Sequence, residues 1–253
     1  MIFPLTSERG KIIMNQQRIS DPYRRRRAAA VLAALLLLTV SLLISRSLAP
    51  KRLPVVLQRE RPCLVIDPGH GGPDGGAVAP NGVKESDLNL SIALKLRDLA
   101  SFFGCSCSLT REDDSTKSDG PSYSEHEDLV RRSELANGVE DGVLISIHQN
   151  TFPTSQPSGA QVLYGRDPES RRLGELAHAA LVSALQPENR RVAAPAPAAL
   201  YLTSHVNCPV ILVECGFLSN LDDLRQLCGE DYQRALAAVL LSSFLQYTAQ
   251  PKA

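Results

Sequence analysis

The run Cys63-Leu64-Val65-Ile66-Asp67-Pro68-Gly69-His70-Gly71-Gly72 decides the fold. Its short apolar opening, stopped at once by Pro68-Gly69, reads as a strand buried in a sheet. The loop that follows, Gly69 to Gly82, holds six glycines and two prolines. Such a loop tolerates positive φ angles and lets backbone approach a ligand closely.

Working outward, strands are expected at Cys105–Leu109, Val143–Ile147, Ala160–Tyr164 and Val210–Glu214. Ser86 is expected to cap a helix in which Leu88, Ile92, Leu96, Leu99 and Phe103 share one face. Further helices are expected around Glu127–Ala136, Arg171–Leu185 and Asp231–Tyr247, with residues 186–199 irregular. Strands alternating with helices predict a single α/β domain with a mostly parallel central sheet covered by helices, over residues 62–250.

The N-terminal part has another character. Arg24 to Arg27 precede an apolar stretch from Ala28 to Ile44 that is broken only by Thr39 and Ser41. As a helix it would span about 25 Å, the lower edge for a bilayer crossing. It has no polar face to suit a globular core. The expectation is a basic cytoplasmic segment over 1–27, a transmembrane signal anchor over 28–45, a basic linker over 46–61 and a catalytic domain outside the membrane. Cleavage after Ala49, giving a secreted domain, is the other reading.

Composition excludes some partners. The chain of 253 residues has 27 basic and 27 acidic side chains, so no basic excess marks it for nucleic acid. Trp is absent and aromatics make up 5%, which leaves no obvious stacking platform. None of the six cysteines forms a CxxC pair; most sit in apolar runs and read as buried thiols.

Three polar residues share a placement. His70 follows the first strand, His148 follows Val143–Ile147, and Glu214 closes Val210–Val213. Ligands of open α/β sheets bind beyond the carboxyl ends of the strands. Glu85, at the end of the Gly-rich loop, can swing back over His70. Each residue alone reads as well as a surface or structural group; their joint placement is the signal. Two His and a carboxylate form a common catalytic zinc shell, and a further carboxylate beside the water supplies a general base. Elsewhere, His126-Glu127 opens an HExxH-like sequence with no second His and reads as solvated helix. Cys215 alternates away from whatever Glu214 faces.

These motifs resemble the zinc-dependent N-acetylmuramoyl-L-alanine amidases of bacterial cell walls. Ile66–Gly72, Lys84-Glu85, Leu109-Thr110-Arg111, the pair Arg132 and Asn137, Ser146–Asn150 and Val213–Asn220 follow the family's order over residues 62–247. The resemblance implies Zn2+ on His70, Glu85 and His148, Glu214 as general base, and Asn150 and Arg132 as groups that brace the ligands or face the substrate. It implies hydrolysis of the amide joining N-acetylmuramic acid to L-alanine in peptidoglycan. The short apolar N-terminus and the closing motif are similar to the spore-cortex subtype, whose product is converted to the muramic lactam read at germination. A vegetative wall-turnover amidase and a zinc peptidase acting on stem peptides are the alternatives, and an accessory protein is conceivable but unnamed. Many relatives carry an inhibitory helix between the last His ligand and the Glu; the Pro/Ala-rich 186–199 stretch here predicts an open site.

Overall fold

Leu64, Val65 and Ile66 are at most 1% exposed, so β1 (Cys63–Pro68) is covered on both faces as its unbroken apolar run requires. The computed structural model describes residues 62–117 and 122–250, with Leu32 and Thr39 standing alone before them. The expected membrane segment over 28–45 therefore lies, apart from those two positions, outside the described residues, as do residues 1–27 and the whole linker over 46–61. Among the described residues no helix is long and apolar enough to cross a membrane.

The elements that follow are α1 (Glu85–Phe102), β2 (Cys107–Leu109), α2 (Glu125–Asn137), β3 (Gly142–Asn150), β4 (Gln161–Tyr164), α3 (Pro168–Leu185), β5 (Ala194–Pro195), α4 (Tyr201–His205), β6 (Val210–Phe217), α5 (Leu221–Leu227) and α6 (Glu230–Ala249). The sheet order is β2-β1-β3-β6-β4-β5. Every pairing is parallel except β4 on β6, so the expected mostly parallel sheet carries two reversed strands, β4 and β5, at one side.

Strand alternation divides the core. Leu64, Ile66, Val143, Ile145, Ile147, Ile211 and Val213 join the large cluster under α1, α3 and α6. Val65, Leu144 and Val210 pack with Ala136 of α2 on the other face. The α2-facing side of each central strand then turns polar toward its carboxyl end, as Val65 gives way to Asp67, Leu144 to Ser146 and His148, and Leu212 to Glu214. The fold thus leaves polar side chains on one face at one edge. Caps fix the helix starts nearby: Ser124 Oγ accepts from Glu127 N–H at 3.3 Å in a Ser-x-x-Glu box, and Asp167 Oδ1 accepts from Ser170 N–H at 2.8 Å.

Several expectations need correction. Ser86 does not cap α1: Lys84 is the N-cap residue, and the loop carbonyls of Ala77 and Gly75 take the N–H groups of Glu85 and Ser86. Phe103 is not on the inner face: α1 ends at Phe102, and Phe103 turns outward while Ala100 and Leu96 carry the buried stripe. Strand β2 starts only at Cys107, because Cys105 N–H is tied back to Ala100 O of α1. Helices α4 and α5 were not expected, and β5 interrupts the irregular 186–199 stretch. No disulfide joins the described cysteines.

Candidate metal centre

His70 sits two residues past β1 in a left-handed backbone conformation, φ 61°, rare for a residue with a side chain. The surroundings impose it. Gly69 N–H bonds to Ile147 O at 3.0 Å, and Arg132 Nη2 donates to His70 O at 2.7 Å. The imidazole Nδ1 lies 2.7 Å from Asp74 Oδ2, which also accepts from Tyr123 Oη at 3.1 Å. With Asp74 on Nδ1, the ring turns Nε2 toward Glu85.

Glu85 opens α1 and is buried. Its Oε2 accepts from Ala77 N–H at 3.0 Å, and its Oε1 accepts from Gln149 N–H at 3.0 Å and Asn89 Nδ2 at 3.4 Å. His70 Nε2 stands 3.3 Å and His148 Nδ1 3.0 Å from the same Oε1. Burial alone would raise the Glu85 pKa; the two histidines override it and hold the carboxyl well below the usual range. Burial likewise opposes a charge on His70, yet the hydrogen bonds and charges of Glu85 and Asp74 lift its pKa to about 9.

His148 comes from β3 and is the register partner of Glu214 on β6. Its ring packs close against the backbone: a Cβ built on Gly69 would lie 2.2 Å from the imidazole. Gly76, at φ 63°, is equally constrained, since a Cβ there would lie 2.7 Å from both Glu85 Oε2 and His70 Cδ2. These two glycines are what the ligand cluster demands of the loop.

The donor set fits a metal ion. One nitrogen of each imidazole and one oxygen of Glu85 all lie within 4.8 Å of one another. Ligands at ~2.0–2.1 Å from a tetrahedral zinc stand about 3.4 Å apart, and the two His–Glu85 separations are 3.3 and 3.0 Å. The His70 and His148 side chains are 26% and 20% exposed, so one side of the cluster opens to a cleft of about 220 Å³. Tyr123, Glu125 and Leu129 form one wall of that cleft, and Leu200 to Thr203, at the start of α4, another. Between His148 and Glu214 the chain places β4, α3, β5 and the five-residue α4, and of these only α4 and the residues just before it line the cleft.

Glu214 also lines the cleft. Its Oε2 is buried without a hydrogen-bond partner. Burial is the main cause of its raised pKa, with Glu85 adding to it and the histidines opposing it. Arg132 lines the cleft floor but is 2% exposed, and its donors are spent on Asp67, Asp128 and the carbonyls of Pro68 and His70. Asn150 stands apart from the cleft, its Oδ1 accepting from Thr151 N–H at 2.8 Å. Asn137 bridges α2 to His205 O and Asn207 N–H. In the closing motif, Ser219 accepts from Phe152 N–H and Asn220 caps α5, so these two serve the scaffold. Cys215 is buried in the opposite core, as alternation requires. His126 is solvated on the first turn of α2, where it meets Tyr201 edge-on.

Asp74, Asn89 and Asp67 escaped the sequence reading. Asn89 offered a signal, since it lies one helical turn after Glu85 on the same face, and it also donates to Gly69 O at 3.1 Å. Asp74, the sole acid in the Gly-rich loop, offered another.

Comparison with known proteins agrees with this geometry. The sequence profile of the N-acetylmuramoyl-L-alanine amidase family matches residues 64–243. A germination-specific N-acetylmuramoyl-L-alanine amidase of Bacillus subtilis is 36% identical over 191 residues, covering 73% of this chain and 78% of that one. The solved CwlD amidase of Clostridioides difficile, in complex with the GerS lipoprotein, superposes with a TM-score of 0.70 at 33% identity, covering 74% of this chain and 98% of that one. The amidase AmiC2 of Nostoc punctiforme gives 0.65 at 28% identity, covering 75% and 98%.

Proposed function

The chain belongs to the N-acetylmuramoyl-L-alanine amidase family, and from that premise we propose how its own residues carry the reaction and where it acts. It is an amidase of cell-wall peptidoglycan: the bond cut joins the lactyl carbonyl of N-acetylmuramic acid to the nitrogen of L-alanine. We assign zinc to His70 Nε2, Glu85 and His148 Nδ1, because two imidazoles and a carboxylate suit it better than magnesium or calcium. When bound there, zinc acidifies the attacking water and polarises the scissile carbonyl. Asp74 holds the His70 ring in orientation through Nδ1. Glu214 takes a proton from water as oxygen adds to the carbonyl carbon. It returns that proton to the alanine nitrogen as the C–N bond breaks. The products are a free lactyl carboxyl and a peptide with an N-terminal L-alanine amine.

The observation that carries this reading is the buried, unpartnered Oε2 of Glu214 in the wall of the cleft onto which His70 and His148 open. Digestion of purified peptidoglycan with and without a chelator, with fragments identified by mass, tests it. Release of peptides beginning with L-alanine, abolished by the chelator and restored by zinc, is expected. Loss of terminal D-alanine instead would make the enzyme a peptidase of the stem.

The cellular setting follows the relative that is a germination-specific amidase. We assign the chain to spore cortex, where its product precedes muramic lactam formation; cortex from a deletion strain should lack the lactam. Residues 28–45 are proposed as a signal anchor with the catalytic domain outside the cytoplasm. Resistance of the full chain to carbonate extraction, against release of a cleaved form, tests that. The open cleft supports wall binding without an activator, so a lipoprotein of the kind bound to the CwlD relative would serve some purpose other than unplugging the site.

A further inference from the structure

The central strands β2, β1, β3 and β6 run parallel, so the sheet has an amino edge and a carboxyl edge. The metal cluster and cleft lie at the carboxyl edge. Residue Pro62, where the described domain begins, enters at the amino edge. Helix α1 runs back from the carboxyl edge and ends there too, at Phe102, with Phe103 as its C-cap residue. Gly104, at φ 69°, turns the chain into β2, and Ser106 O accepts from Leu64 N–H at 2.9 Å. Phe102 and Phe103 thus lie within a few residues of the point where the N-terminal segment joins the sheet.

Both rings face solvent. Phe102 is 83% and Phe103 57% exposed, and they pair edge to face with centroids 5.4 Å apart. They are two of only six Phe in the chain. A paired aromatic patch is more than the scatter of single apolar residues that any surface shows. The segment leading to this edge suggests what covers it. Residues 46–61 contain Arg46, Lys51, Arg52, Arg59 and Arg61 against Glu60 alone, and the apolar stretch Ala28–Ile44 precedes them. Basic segments beside a bilayer are drawn to anionic headgroups, and aromatic rings settle at the headgroup level.

We propose that Phe102 and Phe103 rest on an anionic lipid surface, holding the amino edge of the domain against the membrane and the catalytic edge away from it. This inference rests on the reading of residues 28–45 as a membrane anchor. The absence of Trp makes the test direct. The full chain carrying Phe102→Trp as its single tryptophan is reconstituted into phosphatidylcholine–phosphatidylglycerol vesicles with or without brominated acyl chains. Phe152→Trp, at the carboxyl edge and 52% exposed in the native residue, is the control. The expected result is co-flotation with vesicles, a blue-shifted emission at position 102, and bromolipid quenching several-fold stronger there than at 152. Co-flotation with equal, water-like emission at both positions overturns the lipid contact and leaves the anchor standing. A chain that does not float overturns both.

Discussion

Two polar clusters share the carboxyl edge of the sheet, and they are built to opposite rules. In the first, Asp67 Oδ1 accepts from Thr110 Oγ1 at 2.5 Å and Arg132 Nη1 at 2.9 Å, and Oδ2 accepts from Ser146 Oγ at 2.6 Å. Arg132 Nε reaches Asp128 at 2.7 Å, and Arg111 spends its donors on the carbonyls of Pro68, Gly69, Ser86 and Asp113. One guanidinium meets both carboxylates and the other meets four backbone carbonyls, so each of these groups is partnered. In the second, four nitrogens crowd one oxygen of Glu85 and Glu214 keeps an orphaned buried oxygen. A satisfied buried network fixes geometry, whereas an unsatisfied one marks where another species belongs. The first cluster holds the backbone of residues 68–70 so that the second stays in register.

Four substitutions or conditions would break or sharpen this contrast, taken from the largest expected effect down. Glu214→Gln should lower the hydrolysis rate about 10²–10⁴-fold. Its Tm should not fall, since burial already disfavours the carboxylate. A variant that hydrolyses peptidoglycan at the normal rate would remove Glu214 from the chemistry. Arg132→Met should cost about 3–5 kcal/mol in urea unfolding, because it strands Asp67 and Asp128. Should it unfold normally yet fail to turn over, Arg132 belongs with the reactive group after all.

Asp74→Asn should weaken zinc affinity by about 10–100-fold in a chelator titration, by loosening His70. Unchanged affinity would mean that the His70 ring is held by packing alone. The last is a pH effect. Burial works to raise the Asp67 pKa, but Arg132, Ser146 and Thr110 lower it below the ordinary value. A carboxyl depressed in the fold adds stability above the unfolded pKa of about 3.9 and loses it as pH falls through the folded value. Urea midpoints should therefore drop below about pH 4, and Asp67→Asn should be less stable at pH 7 with a flatter acid limb. An unaltered acid limb would show that the network contributes nothing through this charge.

The sheet was legible because its central strands are unbroken apolar runs, and His70, Glu85, His148 and Glu214 were legible because motifs surround them. What stayed hidden depends on distance in sequence. Asp67 matters through Arg132 and Ser146, 65 and 79 residues away, and no local pattern announces such pairs; Asp74 is four residues from His70 but also reaches Tyr123, 49 residues on. Phe103 was misassigned because the helical period of α1 runs on past the last residue the helix contains. Helices α4 and α5 are too short for a period to show. The role expected of Arg132, bracing or facing substrate, left its direction open, and burial turns its fork toward the backbone of the His70 loop.

His70, His148 and Glu214 are brought together by β1 on β3 and β3 on β6, in pairings such as Cys63↔Gly142 and Leu144↔Val210, and Glu85 joins them from the start of α1 through Gln149 N–H. Contacts so distant along the chain form late, after loop-closure entropy has been overcome. The donor set comes from the loop after β1, the start of α1 and β3, so no fragment lacking any of these presents it. An ion bound there would stabilise the folded chain by mass action. The compartment in which the chain folds would then set which ion it takes, since affinities among first-row divalent metals follow the metal more than the protein.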